Sequence, residues 1–143
     1  MSSFPGSVTY LAYDGAGNVE EYTLGFLKHF DLTLPLALPR TDWVISLEVG
    51  EHVPSKFEGM LFRNIHRHNC RGVILSWGTF SQQGGRAHIN LHDNEYVVNI
   101  MDRLGYYEDL ELKKSLRDPE DNYRHFIGST MAFRRKEIPE VCK

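Results

Sequence analysis

Basic charge is in short supply: 16 Lys and Arg stand against 19 Asp and Glu, a formal net charge of −3. With no basic stripe anywhere along the chain, nothing argues for a nucleic acid as partner. Long apolar runs are missing as well. None approaches the roughly 20 residues that a membrane-crossing helix needs, and the chain does not open on a charged segment followed by an apolar one. Both absences lead to the expectation of a soluble, cytoplasmic protein with no membrane partner. Cysteine is nearly absent: Cys70 and Cys142 are far apart and lack metal-ligand spacing. The expectation from them is two free thiols in a reducing compartment. Internal repeats and linker-like stretches are also lacking. What remains is a chain of 143 residues with 41% apolar content, which fits one domain spanning residues 1–143 with a real core.

The chain is organised around Asp42-Trp-Val-Ile-Ser-Leu-Glu-Val-Gly-Glu-His-Val-Pro54. Trp43, Val44, Ile45 and Leu47 form an apolar, partly β-branched run too short for a helix, the pattern of a strand buried on both faces. It leads into Glu48, Glu51 and His52. Ser55-Lys-Phe-Glu58 then has the capping-box pattern, with Phe57, Leu61 and Ile65 at helical spacing behind it. A buried strand that delivers acidic and imidazole groups to its carboxyl end and turns into a helix is where open α/β sheets place their sites.

Taken in order, residues 1–7 are a small-residue lead without periodicity. Residues 8–13 read as a strand by their β-formers, closed by Asp14-Gly15, and residues 25–32 read as a second strand ending in Asp31 and Leu32. The helix that starts at Ser55 is expected to run to about Asn69, and residues 72–77 form another short apolar strand. Residues 78–90 are a loop rich in glycine and glutamine. Asp93 is placed to cap the clearest helix, with Val97, Ile100, Met101 and Leu104 on one face and Gly105 beyond its end. Residues 106–110 suit a strand, 111–117 a short helix, 118–123 a polar loop and 126–133 the last strand. Strands alternating with helices, then a closing strand pair, argue for an α/β domain with a mostly parallel sheet.

At residues 42–54 the sequence resembles the class I, Rossmann-like S-adenosylmethionine-dependent methyltransferases. The likeness continues through Arg71-Gly-Val-Ile-Leu-Ser-Trp77, Gly84-Gly85, His88-x-Asn90 and Asn94-Glu-Tyr96, and ends at Met131-Ala-Phe-Arg-Arg135. It implies a Rossmann-like sheet with helices on both faces, mostly parallel with a C-terminal antiparallel strand. It also implies S-adenosylmethionine as cofactor and methyl transfer to a small acceptor. By position in that family, Asp14 with Gly15 matches the ribose contact, Asp31 with Leu32 the adenine contact, and Glu48 the strand end that borders the transferred methyl. Nothing before Val8 matches the family's first strand and glycine-rich loop, so the resemblance implies a domain lacking that unit. In a rival alignment Asp14-Gly15-Ala-Gly17 is itself the glycine loop, although the third glycine is absent at Glu20. Without the first strand, residues 8–13 are expected to lie beside 42–47, and uncovered apolar surface to drive homo-oligomer formation. The competing function class is a catalytically inactive methyltransferase fold that serves as a binding or assembly module.

Each candidate residue has an ordinary reading beside the functional one. Asp14 and Asp31 suit turns, where Asp bonds nearby amides. Glu48, Glu51 and His52 are candidates for acid–base work, Glu48 and His52 foremost, while Glu51 also suits a helix start and His52 a turn cap. Gln82, Gln83, Arg86, His88 and Asn90 make a polar cluster on the acceptor side of the resembled fold, or a plain surface loop. Trp77 and Phe80 suit stacking on a planar ligand, or core packing. His66 with His68, and His88 with His92, lack a third ligand at fixed spacing, so no metal is expected.

Overall fold

The computed structural model describes residues 8–82, 85–118 and 124–143. The N-terminal lead, Gln83 with Gly84, and loop residues 119–123 lie outside the described residues. A small two-stranded parallel sheet pairs β1 (Tyr13–Asp14) with β2 (Lys28–His29), with the one-turn helix α1 (Val19–Tyr22) between them. The main sheet has four strands: β3 (Thr41–Ser46), β4 (Asn69–Leu75), β5 (Tyr106–Glu108) and β6 (Met131–Arg135). Their order is β3-β4-β6-β5, with β3 and β4 parallel and the β4–β6 and β6–β5 pairs antiparallel. The helices are α2 (Glu58–Arg67), α3 (Asn94–Arg103), α4 (Leu110–Leu116) and α5 (Arg124–Ile127).

The core forms where helical and strand periodicity agree. Leu61, Phe62 and Ile65 of α2, and Val97 and Met101 of α3, bury their stripe against Val73 and Leu75 of β4 and Met131 and Phe133 of β6. Gly105 ends α3 at φ +87°, the left-handed stop that glycine takes without strain. Ser55–Phe57 is a 3-10 turn ahead of α2, and neither it nor the helix start uses a capping side-chain bond. Glu58, the last residue of the capping-box pattern, is directed elsewhere. Asp93 takes the extended backbone of an N-cap, again without a side-chain bond.

Several expectations give way. Residues 8–12 carry no strand, and residues 13–14 pair with β2 instead of β3. Among the described residues β3 therefore pairs on one side only, an edge strand. It is not buried on both faces: Trp43 and Val44 are half-buried and Ile45 is 63% exposed. The sheet direction is as expected: β3, β4 and β5 run one way, and only β6, the C-terminal strand, runs against its neighbours. The closing strand starts at Met131, since residues 124–127 turn into α5 first.

The cysteines are corrected as well. Cys70 and Cys142 form a disulfide across a sequence separation of 72 residues. Antiparallel pairing of β6 on β4, with Gly72 opposite Arg134, carries the tail back past the start of β4, where Cys70 sits. No local pattern announces that return. The pairing also removes the free-thiol argument for a reducing compartment. Among the described residues no helix is long and apolar enough to cross a membrane.

The small sheet is tied to the large one through residues 32–38. The Asn64 amide of α2 donates to the Leu32 and Leu34 carbonyls, and its oxygen accepts from the Leu36 amide. His68 continues the seam, bonding the Asn64 carbonyl through Nδ1 and accepting from the Leu38 amide through Nε2. A carbonyl only accepts and an amide only donates, so this buried ring is the neutral Nδ1–H form.

Candidate functional site

Three strand ends converge on one cleft between the two sheets. Asp14 ends β1, Phe30 and Asp31 follow β2, and Glu48 and Val49 follow β3. Together with His52 they line a cleft of about 520 Å³. A crevice at the carboxyl ends of parallel strands, between elements that do not pair, is the usual ligand position in open α/β folds. Gly15 and Leu32, both expected at a cofactor site, line it too.

Both aspartates make local turn bonds, and both line the cleft. Asp14 Oδ1 accepts from the Ala16 amide at 2.8 Å, a local turn bond. Asp31 Oδ1 accepts from the amide and the hydroxyl of Thr33 at 2.8 and 2.6 Å. Those two bonds hold the Asp31 carboxyl below the usual carboxylate range, the hydroxyl contributing most. Each turn bond uses Oδ1, and an ionised carboxylate has two oxygens and about four acceptor sites. The turns therefore orient the carboxylates without exhausting them.

Glu48 sits in the left-handed region at φ +51°, a strained conformation for a residue with a side chain. The surrounding bonds hold it there. Its amide donates to Ser76 Oγ at 2.8 Å, and the Ser76 and Ser129 hydroxyls donate to its Oε1 at 2.7 and 3.2 Å. The twist directs the chain out of β3 and into the 3-10 turn Gly50–His52. Gly50 is obligatory in that turn, because a Cβ there would lie 2.2 Å from the Trp77 ring.

The next carboxylate is unusual. Glu51 is fully buried, and neither of its oxygens has a hydrogen-bond partner. Burial pushes its pKa up and the nearby Glu48 charge adds to this. The amides of Glu51 and Gly78 and the His52 ring pull the other way, the amides without the alignment of a hydrogen bond. His52 Nε2 lies 4.0 Å from Glu51 Oε1. The His88 ring stands edge-on to His52, with centroids 5.1 Å apart. One ligand-type atom from each of Glu51, His52 and His88 lies within 4.8 Å of the others. Sequence spacing misses this trio because His88 arrives on a loop 36 residues beyond His52. That loop docks by its backbone, with the Ile89 and Asn90 amides donating to the Glu51 carbonyl at 2.9 and 3.0 Å.

The other loop residues separate. Trp77 is fully buried, stacks on Phe62 at 5.5 Å and donates from Nε1 to the Asn90 carbonyl at 2.7 Å. The Asn90 side chain is also buried, donating to Glu58 at 2.8 Å. Both are framework, not surfaces open to an acceptor. Arg86 is exposed, as is Phe80. Glu58 further accepts from Tyr96 Oη at 2.6 Å and pairs with His92 Nε2 at 2.8 Å. The Tyr96 phenol is pushed up to about 12, chiefly by that bond to a carboxylate. His92 thus belongs with Glu58, while His88 belongs with Glu51.

Solved structures resemble the overall fold. The chain is 16% identical, at a TM-score of 0.54, to magnesium protoporphyrin IX methyltransferase from Synechocystis PCC 6803 crystallised with S-adenosylhomocysteine, over 76% of this chain and 50% of that one. The form of that enzyme bound to S-adenosylmethionine gives 15% identity and a TM-score of 0.55, over 87% of this chain and 59% of the other. The chain shares the Rossmann-like α/β fold of that enzyme. The chain spans between half and three-fifths of the length of that enzyme. No family model matches the sequence, and no curated protein matches it.

Proposed function

We propose that this chain is a methyltransferase-fold protein that takes S-adenosylmethionine in the cleft between the two sheets, for methyl transfer to a small acceptor. The observation that carries the reading is the convergence of Asp14, Asp31 and Glu48, from three successive strand ends, on one cleft. A carboxylate pair suits the ribose hydroxyls and the adenine edge, since ionised carboxylates accept from donors on both. Three acidic groups also suit a cofactor that carries a sulfonium charge. In this reading Glu48 and His52 border the methyl, with Arg86 and His88 on the acceptor side. Methyl transfer to a good nucleophile depends mainly on proximity and alignment, so Glu48 and His52 act first by positioning.

One feature favours a second reading, a nucleoside-binding module without turnover. The cleft residues Asp14, Asp31 and Glu48 offer acceptors that suit the nucleoside half of the cofactor, whereas the zwitterionic methionine end also needs partners for its carboxylate. Titration calorimetry separates the two. Full recognition gives tighter binding of S-adenosylmethionine and S-adenosylhomocysteine than of adenosine. Equal affinity for all three means that only the nucleoside half is held. Asp14→Ala is expected to weaken binding by about 1–3 kcal/mol, the range for losing hydrogen bonds to a charged group. Unchanged affinity would reduce Asp14 to a turn residue.

A further inference from the structure

We infer that Glu51, His52 and His88 form a binding site for one divalent first-row transition cation. His52 Nδ1 lies 3.0 Å from the Ala87 carbonyl, which can only accept, so Nδ1 carries the proton. In the neutral ring this leaves the Nε2 lone pair facing the Glu51 carboxylate at 4.0 Å. Two acceptors then point at each other, and the carboxylate has no donor of its own. A buried carboxylate in that condition is costly unless a proton or a cation stands between. His88 contributes the third ligand atom within 4.8 Å.

The donor set points to the class of ion. Two imidazoles and one carboxylate suit zinc, cobalt, manganese or iron, whereas magnesium and calcium favour oxygen ligands. Three protein ligands leave a coordination position open to water or substrate. The Ala87 carbonyl on His52 Nδ1 is the outer-sphere bond that metal-bound histidines ordinarily make, and it fixes the ring and its tautomer. Gly85 sets the place of the third ligand: a Cβ there would lie 2.1 Å from His88 Cε1. The ligand-atom spacing exceeds the roughly 3.3 Å edge expected for bonds of about 2.0–2.1 Å. The cation draws the rings in, an adjustment open to His52, whose side chain is 43% exposed. Because His52 also lines the cleft, the ion would sit at its border.

The test uses the chelator-treated full chain and Co2+, read by visible absorption, with Zn2+ as competitor and Mg2+ titrated separately by calorimetry. The expected result is one Co2+ per chain, displaced by Zn2+. His52→Ala, His88→Ala and Glu51→Gln should each weaken binding at least about tenfold, while His29→Ala, a histidine outside the trio, leaves it unchanged. Gly85→Ala should also weaken binding by about tenfold, the lower end for disturbing a supporting shell. Circular dichroism of each variant separates lost ligation from lost fold. The inference is overturned by no saturable uptake of Co2+, by uptake indifferent to both histidine substitutions, or by Mg2+ binding without Co2+ binding. None of these readouts involves the nucleoside, so their failure and that of the cofactor reading are distinguishable.

Discussion

His66 lies near the end of α2, edge-on to Tyr106 with ring centroids 5.7 Å apart, and its Nδ1 is buried without a partner. Burial lowers its pKa most, and the Arg135 and Arg40 charges lower it further. The folded chain therefore resists the proton that the unfolded chain accepts near pH ~6.5. Stability from this source is present above that value and is lost as pH falls from it toward the lowered folded pKa. Urea midpoints at about pH 7.5 and pH 5 should show the loss, and His66→Gln should flatten it relative to the parent. An equal fall in the variant would assign the limb to other groups. The same scale shows how side chains depart from what their neighbours in sequence suggest. Asp14 and Asp31 are turn residues and cleft residues at once, and Glu58 leaves the capping box to gather Asn90, His92 and Tyr96. Residue type and spacing read such positions only halfway, because the partners of Glu58 come from 32 or more residues away.

At the scale of elements, legibility follows the range of the forces. α2 and α3 are read well, since a stripe such as Val97 and Met101 and a stop such as Gly105 are local. That residues 42–47 form a strand is equally local, and β3 covers most of them. Whether both of its faces are buried depends on which strand lies beside it, and no nearby residue encodes that. Its open side yields a prediction. An edge strand with Ile45 63% exposed is a template for pairing with another chain. Light scattering at high micromolar concentration should report a species larger than the monomer, and Ile45→Lys should return the monomer. That exposed substitution should move stability by no more than about 0.5 kcal/mol. Leu75→Ala, at a fully buried position of β4, should cost about 2–5 kcal/mol. A parent chain that is already monomeric would remove the edge as an association surface.

Across the whole molecule, the disulfide is the longest-range constraint. Cys70 is the second residue of β4 and Cys142 lies in the tail, so the bond fixes the 3-10 turn Glu140–Cys142 against the strand that β6 also pairs. Without it the tail is held by surface contacts such as the Lys136–Asp102 pair, with side chains 47% and 66% exposed, and exposed pairs of that kind contribute little. Closing a loop of 72 residues removes unfolded-state entropy worth about 4 kcal/mol in the chain-entropy account, and measured values run at about 2–4. Cys142→Ser, or reductant added to the parent, is thus expected to lower unfolding free energy by about 2–4 kcal/mol. The cleft at the opposite strand ends should keep its geometry, since Asn64 and His68 tie its wall independently of the tail. Urea unfolding with and without reductant measures the first effect, and calorimetry with S-adenosylhomocysteine on the reduced chain measures the second. Thiol labelling of the native chain should find no free cysteine until reductant is added. Two reactive thiols at the outset would return Cys70 and Cys142 to the free state expected from their spacing, and the stability difference should then vanish.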